Sequence, residues 1–311
     1  MGYLYLHIGR GKTGTTLIQY NLSQVRADLL AQGVLYVKAG DHGGQGHQQL
    51  AKSFIQNVPE YMIPAQRPDQ IRRKTAREIR RSSAHHYILS SENFCLADPY
   101  NVSAFFENLN QNFQLRVIFF VRSQDEVAES EYNQVIKVAN ATCSFRTYIE
   151  EKLEGCNYDI VAQNWADCIG PENVFCDVYN GAVDDIWSKF SSIIPEIDSS
   201  KLTQPVRPRD AIRNRSMGMK ATVLLRKLNA LNISNRDRVY EEIRSQLAED
   251  DLPALFFSSA EAKKFRNAFE KSNRAFSKQF LKREVPDLGG RRYSDSERDN
   301  IVDQIKQLTK D

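Results

Sequence analysis

The feature that most constrains this chain is an apolar segment that runs directly into a Gly/Thr-rich turn and then into a helical pattern. Residues 3–18 read Tyr-Leu-Tyr-Leu-His-Ile-Gly-Arg-Gly-Lys-Thr-Gly-Thr-Thr-Leu-Ile. The first N–H groups of a helix have no intrahelical partner, and the helix dipole adds partial positive charge at the same point. Lys12 adds a full positive charge. The segment therefore predicts a buried strand followed by a binding site for phosphate or a similar anion.

This turn does not match the ATP- and GTP-binding pattern G-x-x-x-x-G-K-[ST]. That pattern requires a glycine at residue 6, where this chain has Leu6, and extra residues Gly14-Thr15-Thr16 follow the lysine. What remains is the ordered set Gly9-x-x-Lys12-Thr13-Gly14-Thr15-Thr16 between a strand and a helix. The spacing indicates a phosphate loop of another kind.

The rest of the chain alternates between strand and helix patterns. Further strands are predicted at 34–37, 87–90, 115–121 and 173–179, and helices at 14–31, 47–57, 68–83, 124–139 and on to about 168. This alternation predicts a doubly wound parallel sheet, with ligands bound beyond the carboxyl ends of the strands. Gly9, Glu92 and Arg122 all follow predicted strands, so we expect them at one edge of the sheet.

Length and composition set milder limits. The 311 residues favour one α/β domain over 1–311, with the sheet core in 1–180 and a mostly helical part in 181–311. A net charge of +3 gives little support for a nucleic-acid partner. The chain has no leader pattern and no run of 18 apolar residues, so we predict a soluble, cytoplasmic protein without an integral membrane segment. Neither a disulfide framework nor a metal site is indicated by the cysteine and histidine spacing.

A second strand-to-helix junction carries its own candidate anion site. Arg122 ends the most apolar strand of the chain, and Ser130 follows eight residues later in the next helical pattern. A guanidinium offers paired, planar donors to phosphate oxygens, and a hydroxyl adds one more. The two junctions together predict two anion sites at neighbouring strand ends.

Both motifs resemble those by which sulfotransferases bind the donor 3′-phosphoadenosine 5′-phosphosulfate (PAPS). In that family the first loop holds the 5′-phosphosulfate, and a strand-end arginine with a serine eight residues later binds the 3′-phosphate. The Gly33–Tyr36 stretch, Ser90-Ser91-Glu92 and Asn133 are also similar to bacterial sulfotransferases related to carbohydrate-modifying ones. The resemblance implies a P-loop-like fold and transfer of a sulfuryl group from PAPS, which leaves 3′-phosphoadenosine 5′-phosphate (PAP).

The resemblance also implies roles for individual residues. Lys12 stabilises the charge that grows on the leaving phosphate, and the scheme requires no metal ion. Arg215 lies in a basic segment that corresponds to the family's late loop over the nucleotide. The implied PAPS-binding residues are Arg10, Gly11, Lys12, Thr13, Gly14, Thr15, Thr16, Arg122, Ser130 and Arg215.

The general base and the acceptor are less defined. Relatives use a histidine or a glutamate as base, so His47 and Glu92 are both candidates. His47 is favoured slightly because it closes a glycine-rich loop and begins a helix, whereas Glu92 equally suits a helix cap or a partner of Lys12. His7 is expected to pack against the first loop or orient it. The implied acceptor is a hydroxyl or amine of a carbohydrate, glycoconjugate or small molecule, with peripheral membrane contact only if that acceptor is a lipid-linked glycan.

Two other functions compete with sulfuryl transfer. One is a small-molecule kinase that uses Lys12 and a magnesium nucleotide, which the missing glycine at residue 6 disfavours. The other is an inactive nucleotide-binding module, which the presence of Lys12, Arg122 and Ser130 disfavours.

Overall fold

Five parallel strands form one sheet in the computed structural model. The structure describes residues 2–41, 46–58, 62–109, 113–151, 156–180, 183–203, 217–231, 233, 235–247, 255–282, 288 and 295–308. The strands are β1 (Gly2–His7), β2 (Val34–Tyr36), β3 (His86–Ser90), β4 (Phe113–Val121) and β5 (Val174–Val178). Their order is β2-β3-β1-β4-β5, and every neighbouring pair is parallel.

Helices occupy most of the remaining described chain. They are α1 (Thr15–Gln24), α2 (Arg26–Ala31), α3 (Gln48–Lys52), α4 (Pro68–Arg81), α5 (Pro99–Glu107), α6 (Gln124–Val138), α7 (Phe145–Glu151), α8 (Tyr158–Ile169), α9 (Val183–Ile193), α10 (Met219–Leu231), α11 (Arg236–Leu247), α12 (Ser259–Asn267), α13 (Glu270–Phe276) and α14 (Asp295–Leu308). The predicted parallel sheet flanked by helices, with a mostly helical C-terminal part, is confirmed. Within the described ranges, no helix is both long and apolar enough to cross a membrane.

The chain divides into two compact units, each with its own core. The first comprises Met1–Arg122, Asn157–Val206 and Lys271–Leu288, and it contains the whole sheet. The second comprises Ser123–Cys156, Arg207–Glu270 and Gly289–Asp311, and its helices pack around Tyr132, Ile136, Tyr148, Met217, Ala221, Leu225 and Tyr240. The predicted single domain over 1–311 stays a prediction.

Two apolar clusters cover the two faces of the sheet, and strand β4 contributes alternately to both. Val117, Phe119 and Val121 join a cluster with residues of α3, α4, α5 and α8. Ile118 and Phe120 join a second cluster with residues of α1, α2 and α9. A strand buried on both faces requires apolar residues at successive positions, which explains why β4 is the most apolar segment of the sequence. Each buried phenylalanine contributes about 1.5–3 kcal/mol to folding.

One predicted helix is interrupted. Residues 14–31 form α1 and α2, separated at Val25, whose backbone lies at φ −100° and ψ 20°. Val25 is buried in the second cluster, and the guanidinium of Arg26 lies over the ring of Tyr36 at 4.2 Å. These tertiary contacts, which periodicity does not reveal, coincide with the break.

The sheet order places the end of β1 beside the ends of two other strands. The N–H of Ile8 donates to the carbonyl of Ile118, and the N–H of Ser91 donates to the carbonyl of His7; the donor–acceptor distance is 3.0 Å in both. In the strand order, β2 and β3 lie to one side of β1, and β4 and β5 lie to the other. The chain therefore goes from β1 first to one half of the sheet and later to the other half. Such a reversal opens a crevice between strand ends where ligands of parallel sheets bind.

Candidate functional site

The loop between β1 and α1 has the backbone conformation of an anion-binding turn. Lys12 and Gly14 have positive φ angles of 70° and 80°, whereas Gly11 and Thr13 do not. Alternation of this kind directs successive N–H groups towards one side, as in backbone anion nests. The Thr13 hydroxyl donates to the carbonyl of Arg10 over 2.6 Å and so ties the loop internally. Lys12 adopts a left-handed backbone conformation that is unfavourable for residues other than glycine, and such conformations are frequent at functional turns.

The N-terminus of α1 carries uncompensated positive potential. The N–H groups of Leu17 and Ile18 both donate to the carbonyl of Gly14, so the N–H groups of Thr15 and Thr16 lie outside the intrahelical ladder. The first turn has no acidic residue, and no side chain caps it. Thr15 is buried, and within the described chain its Oγ1 has no hydrogen-bond partner. These are the donors that an anion at this helix end requires.

Arg122, at the end of β4, points towards this loop. Its Nη1 donates to the backbone carbonyl of Lys12 over 3.2 Å, and its guanidinium lies 5.5 Å from the ring centre of Tyr179. The hydroxyl of Tyr158 donates to the Arg122 carbonyl over 2.7 Å, which holds the backbone as well. Arg122 and Arg10 are both buried. Three cationic residues therefore lie at the ends of two adjacent strands.

Glu92 lies at the end of β3 and is held by Gln48, the first residue of α3. Gln48 Nε2 donates to Glu92 Oε2 over 2.8 Å, while Gln48 Oε1 accepts from Ser91 Oγ at 2.8 Å and from Asn93 Nδ2 at 2.6 Å. The other carboxylate oxygen of Glu92 makes no hydrogen bond with the part of the chain that the structure describes. Glu92 therefore has one oriented oxygen and one that remains open to a ligand.

His47 is fully buried, and both of its ring nitrogens are hydrogen-bonded to backbone atoms. Nδ1 accepts from the N–H of Ser90 at 3.1 Å, which leaves Nε2 as the protonated nitrogen, and Nε2 donates to the carbonyl of Val37 at 2.8 Å. Burial is the largest influence on this ring and lowers the pKa of His47 to about 4. The imidazole joins the ends of β2 and β3. The general-base role predicted for His47 stays a prediction.

His7, the last residue of β1, lies beneath the loop. Its ring is fully buried between Phe120 and Phe190, and its Nδ1 is 2.8 Å from Ser90 Oγ. Burial lowers the pKa of His7 to about 3, so the imidazole is neutral. That His7 packs against the first loop or orients it stays a prediction.

The structure brings together some of the predicted site residues and leaves others as predictions. The first unit contains Arg10, Gly11, Lys12, Thr13, Gly14, Thr15, Thr16 and Arg122 on adjacent strand ends, and Glu92 at the end of β3. Ser130 is buried in α6, which belongs to the second unit, so its pairing with Arg122 stays a prediction. Arg215 lies outside the described residues.

No protein-family model and no curated protein sequence matches the chain. Among solved structures, a sulfotransferase from Alicyclobacillus acidocaldarius aligns with 94% of this chain and 98% of its own length, at 13% identity and a TM-score of 0.46. Mouse sulfotransferase SULT7A1 complexed with PAP aligns with 88% of this chain and 85% of its own, at 13% identity and a TM-score of 0.39. Likenesses this remote assign no residue of this chain.

Two residues of the site carry no motif in the sequence. Tyr179 directly follows β5, so the strand-end rule that selects Arg122 could have found it, whereas Gln48 has no such signal because its partners are more than 40 positions away. Within the described ranges, no group of three or more His, Cys, Asp and Glu side chains could hold a metal ion.

Proposed function

We propose that this chain is a PAPS-dependent sulfotransferase that transfers the sulfuryl group to a hydroxyl or amine of a carbohydrate or glycoconjugate. The observation that carries the proposal is the hydrogen bond from the Arg122 guanidinium to the Lys12 turn, directly beside the uncapped N-terminus of α1. Two anion-binding elements on neighbouring strands suit a ligand with two separated phosphate-like groups. The open donors of α1, with the unpartnered Thr15 hydroxyl, fit its 5′ end.

The reaction breaks the bond between the sulfuryl sulfur and the bridging oxygen of the 5′-phosphate and forms a bond from sulfur to the acceptor oxygen or nitrogen. The acceptor proton passes to a base, and PAP departs with the bridging electron pair. Lys12 and the backbone N–H groups of α1 stabilise the charge that grows on that oxygen, a contribution that is typically among the largest in catalysis. Arg122, together with Ser130 and Arg215, is proposed to bind the 3′-phosphate.

Glu92 is the better candidate for the base. One carboxylate oxygen is oriented by Gln48, and the other has no partner among the described residues, so it can accept a proton from an acceptor in the crevice. His47 lacks this freedom because its unprotonated nitrogen already accepts from the Ser90 N–H. We therefore propose Glu92 as base and His47 as a structural residue.

The deciding experiment measures binding of PAP, ADP and ATP with Mg²⁺ by calorimetry, followed by transfer of labelled sulfate from PAPS to a panel of glycans. We expect tight binding of PAP alone and label in at least one glycan. A preference for ATP that requires Mg²⁺ would instead identify the kinase. Binding of PAP without transfer to any acceptor, glycan or small molecule, would identify the inactive module.

A further inference from the structure

Two buried polar atoms beneath the first loop have no hydrogen-bond partner within the described residues. They are Nε2 of His7 and Oγ1 of Thr15, and their side chains are almost fully buried. Buried polar groups are nearly always hydrogen-bonded, so two unpaired ones that border the same residue, Gly9, need an explanation. Among the described residues, the packing of the loop supplies no hydrogen-bond partner for either atom.

Gly9 shows that the two atoms face the same small space. A Cβ at this residue would lie 2.8 Å from Thr15 Oγ1 and 3.0 Å from His7 Nε2. Its φ angle is not in the left-handed region. Glycine is thus required here by space rather than by backbone conformation, and it leaves room for the hydroxyl and the ring to meet.

The hydrogen-bond direction between Ser90 and His7 follows from counting donors. A neutral imidazole carries one N–H. If that hydrogen were on Nδ1 and pointed to Ser90 Oγ, the Ser90 hydroxyl would have no acceptor for its own hydrogen among the described residues. Ser90 is fully buried, and its backbone N–H and carbonyl already bond to His47 and Gln19. The arrangement that satisfies Ser90 donates its O–H to Nδ1 and places the ring hydrogen on Nε2.

We infer that Ser90, His7 and Thr15 form a directed hydrogen-bond chain that aims the Thr15 hydroxyl at an anion bound to α1. Without ligand, Ser90 Oγ lies 2.8 Å from His7 Nδ1, whereas His7 Nε2 and Thr15 Oγ1 are not hydrogen-bonded to each other. When an anion binds at α1, we expect the Ser90 O–H to donate to His7 Nδ1, His7 Nε2–H to donate to Thr15 Oγ1, and the Thr15 O–H to donate to the anion. A hydroxyl whose oxygen accepts from the ring must direct its own hydrogen elsewhere. In the opposite tautomer the ring hydrogen is on Nδ1, and Nε2 would accept the hydroxyl hydrogen of Thr15. The Thr15 oxygen would then present only its lone pairs to the anion, and these repel it. His7 is therefore a positioning residue that acts through Thr15.

The inference rests on the proposed function only for the identity of the ligand, so the test uses PAP and inorganic pyrophosphate in parallel. Binding is measured by calorimetry for His7→Leu, Thr15→Val and the double variant. We expect Thr15→Val to weaken binding about tenfold and His7→Leu at least about threefold. In the Thr15→Val background, His7→Leu should have no further effect, because the hydroxyl on which it acts is gone.

Two conservative variants separate this role from packing. His7→Gln can place an amide donor near Nε2 and should recover part of the affinity, whereas Thr15→Ser retains the hydroxyl and should bind nearly as well as the unaltered chain. The 15N chemical shifts of the His7 ring in the unaltered chain report its tautomer without any substitution. We expect the hydrogen on Nε2 when ligand is bound.

The outcomes distinguish the two proposals. Additive losses in the double variant, or a bound state with the ring hydrogen on Nδ1 of His7, overturn the proposed hydrogen-bond chain. If pyrophosphate binds and PAP does not, PAPS is not the donor and the proposed function is wrong. The binding of pyrophosphate to the two single variants and the double variant still decides for or against the hydrogen-bond chain. If neither ligand binds, both proposals are wrong.

Discussion

The guanidinium of Arg122 donates to the backbone carbonyl of Lys12 across 110 positions of sequence. This hydrogen bond joins the end of β4 to the loop after β1, and Tyr179 flanks the same guanidinium from beyond β5. Arg122 and the Lys12 turn, which stand far apart in the sequence, are therefore in direct contact within the first unit. An anion that binds at Arg122 is beside the loop that carries Lys12.

Replacing Arg122 should chiefly weaken binding of PAP. Arg122→Ala removes a charge-assisted contact worth about 1.5–3 kcal/mol, so calorimetry should show at least about a tenfold loss of affinity. Arg122→Lys keeps the charge but not the paired donors and should recover only part of it. Arg146→Ala is the matched control, since that side chain is 90% exposed. Unchanged PAP affinity in Arg122→Ala would remove the basis of the proposed site.

Lys12 should matter more for turnover than for binding. If its charge acts on the leaving phosphate, Lys12→Ala abolishes measurable sulfate transfer while PAP affinity stays within about tenfold. The measurement compares transfer of labelled sulfate with calorimetric binding of PAP. Lys201→Ala, at a largely exposed ion pair, is the control and should retain both. Loss of binding equal to that of Arg122→Ala would contradict this division of roles.

The base assignment predicts different behaviour for Glu92 and His47. Glu92→Gln keeps the size of the side chain and an oxygen that can accept from Gln48, but it removes the proton acceptor. Turnover should fall about 10²–10⁴-fold with little change in PAP affinity. His47→Gln should lower the melting temperature instead, because it disrupts bonds to Val37 and Ser90. If the Glu92→Gln variant kept its activity, a group other than Glu92 would be the general base.

Substitution of Gly9 should impair anion binding by crowding alone. Gly9→Ala places a methyl group within 3.0 Å of Thr15 Oγ1 and His7 Nε2, so the loop or the first turn of α1 must shift. We expect at least about a tenfold loss of PAP affinity. Gly33→Ala is the contrasting control: its φ angle of 78° makes alanine strained, but the nearest atom is 3.9 Å away and belongs to His85. That variant should lose stability and keep PAP affinity.

The buried histidines predict a loss of stability in mild acid. Burial lowers the folded-state pKa of His7 to about 3 and that of His47 to about 4, whereas the unfolded value is about 6.5. The unfolded chain therefore binds more protons below pH 6.5, and stability falls as the pH drops from there towards the folded values. Each histidine should remove about 2 kcal/mol between pH 7 and pH 5.

Urea unfolding at several pH values measures this effect. The free energy of unfolding should fall less steeply with acid in His47→Gln than in the unaltered chain, since one titrating group is absent. Identical slopes in both proteins would show that His47 is not held neutral by the fold.

Local patterns predicted the elements of this fold well. Strand β4 and helix α6 were found within two residues of their observed ends, because apolar runs and helical periodicity reflect burial that each segment experiences itself. The break at Val25 was missed, since contacts of Val25 and Arg26 with other parts of the first unit accompany it. No local pattern reveals the backbone partners of His47, because Val37 and Ser90 meet its ring only in the folded sheet.

The sequence by itself determined that a Gly/Thr-rich loop follows a buried strand, that an arginine ends the most apolar strand, and that the strands run parallel. Hydrophobic period, glycine placement and charge are local properties, and each can be read from a short window. Only the tertiary structure decided that β1 lies between β3 and β4, that Arg122 reaches the Lys12 turn, and that Ser90 lies against both His7 and His47. These contacts join residues 43 to 110 positions apart, and no local pattern specifies which buried donor will meet which acceptor once the sheet has formed.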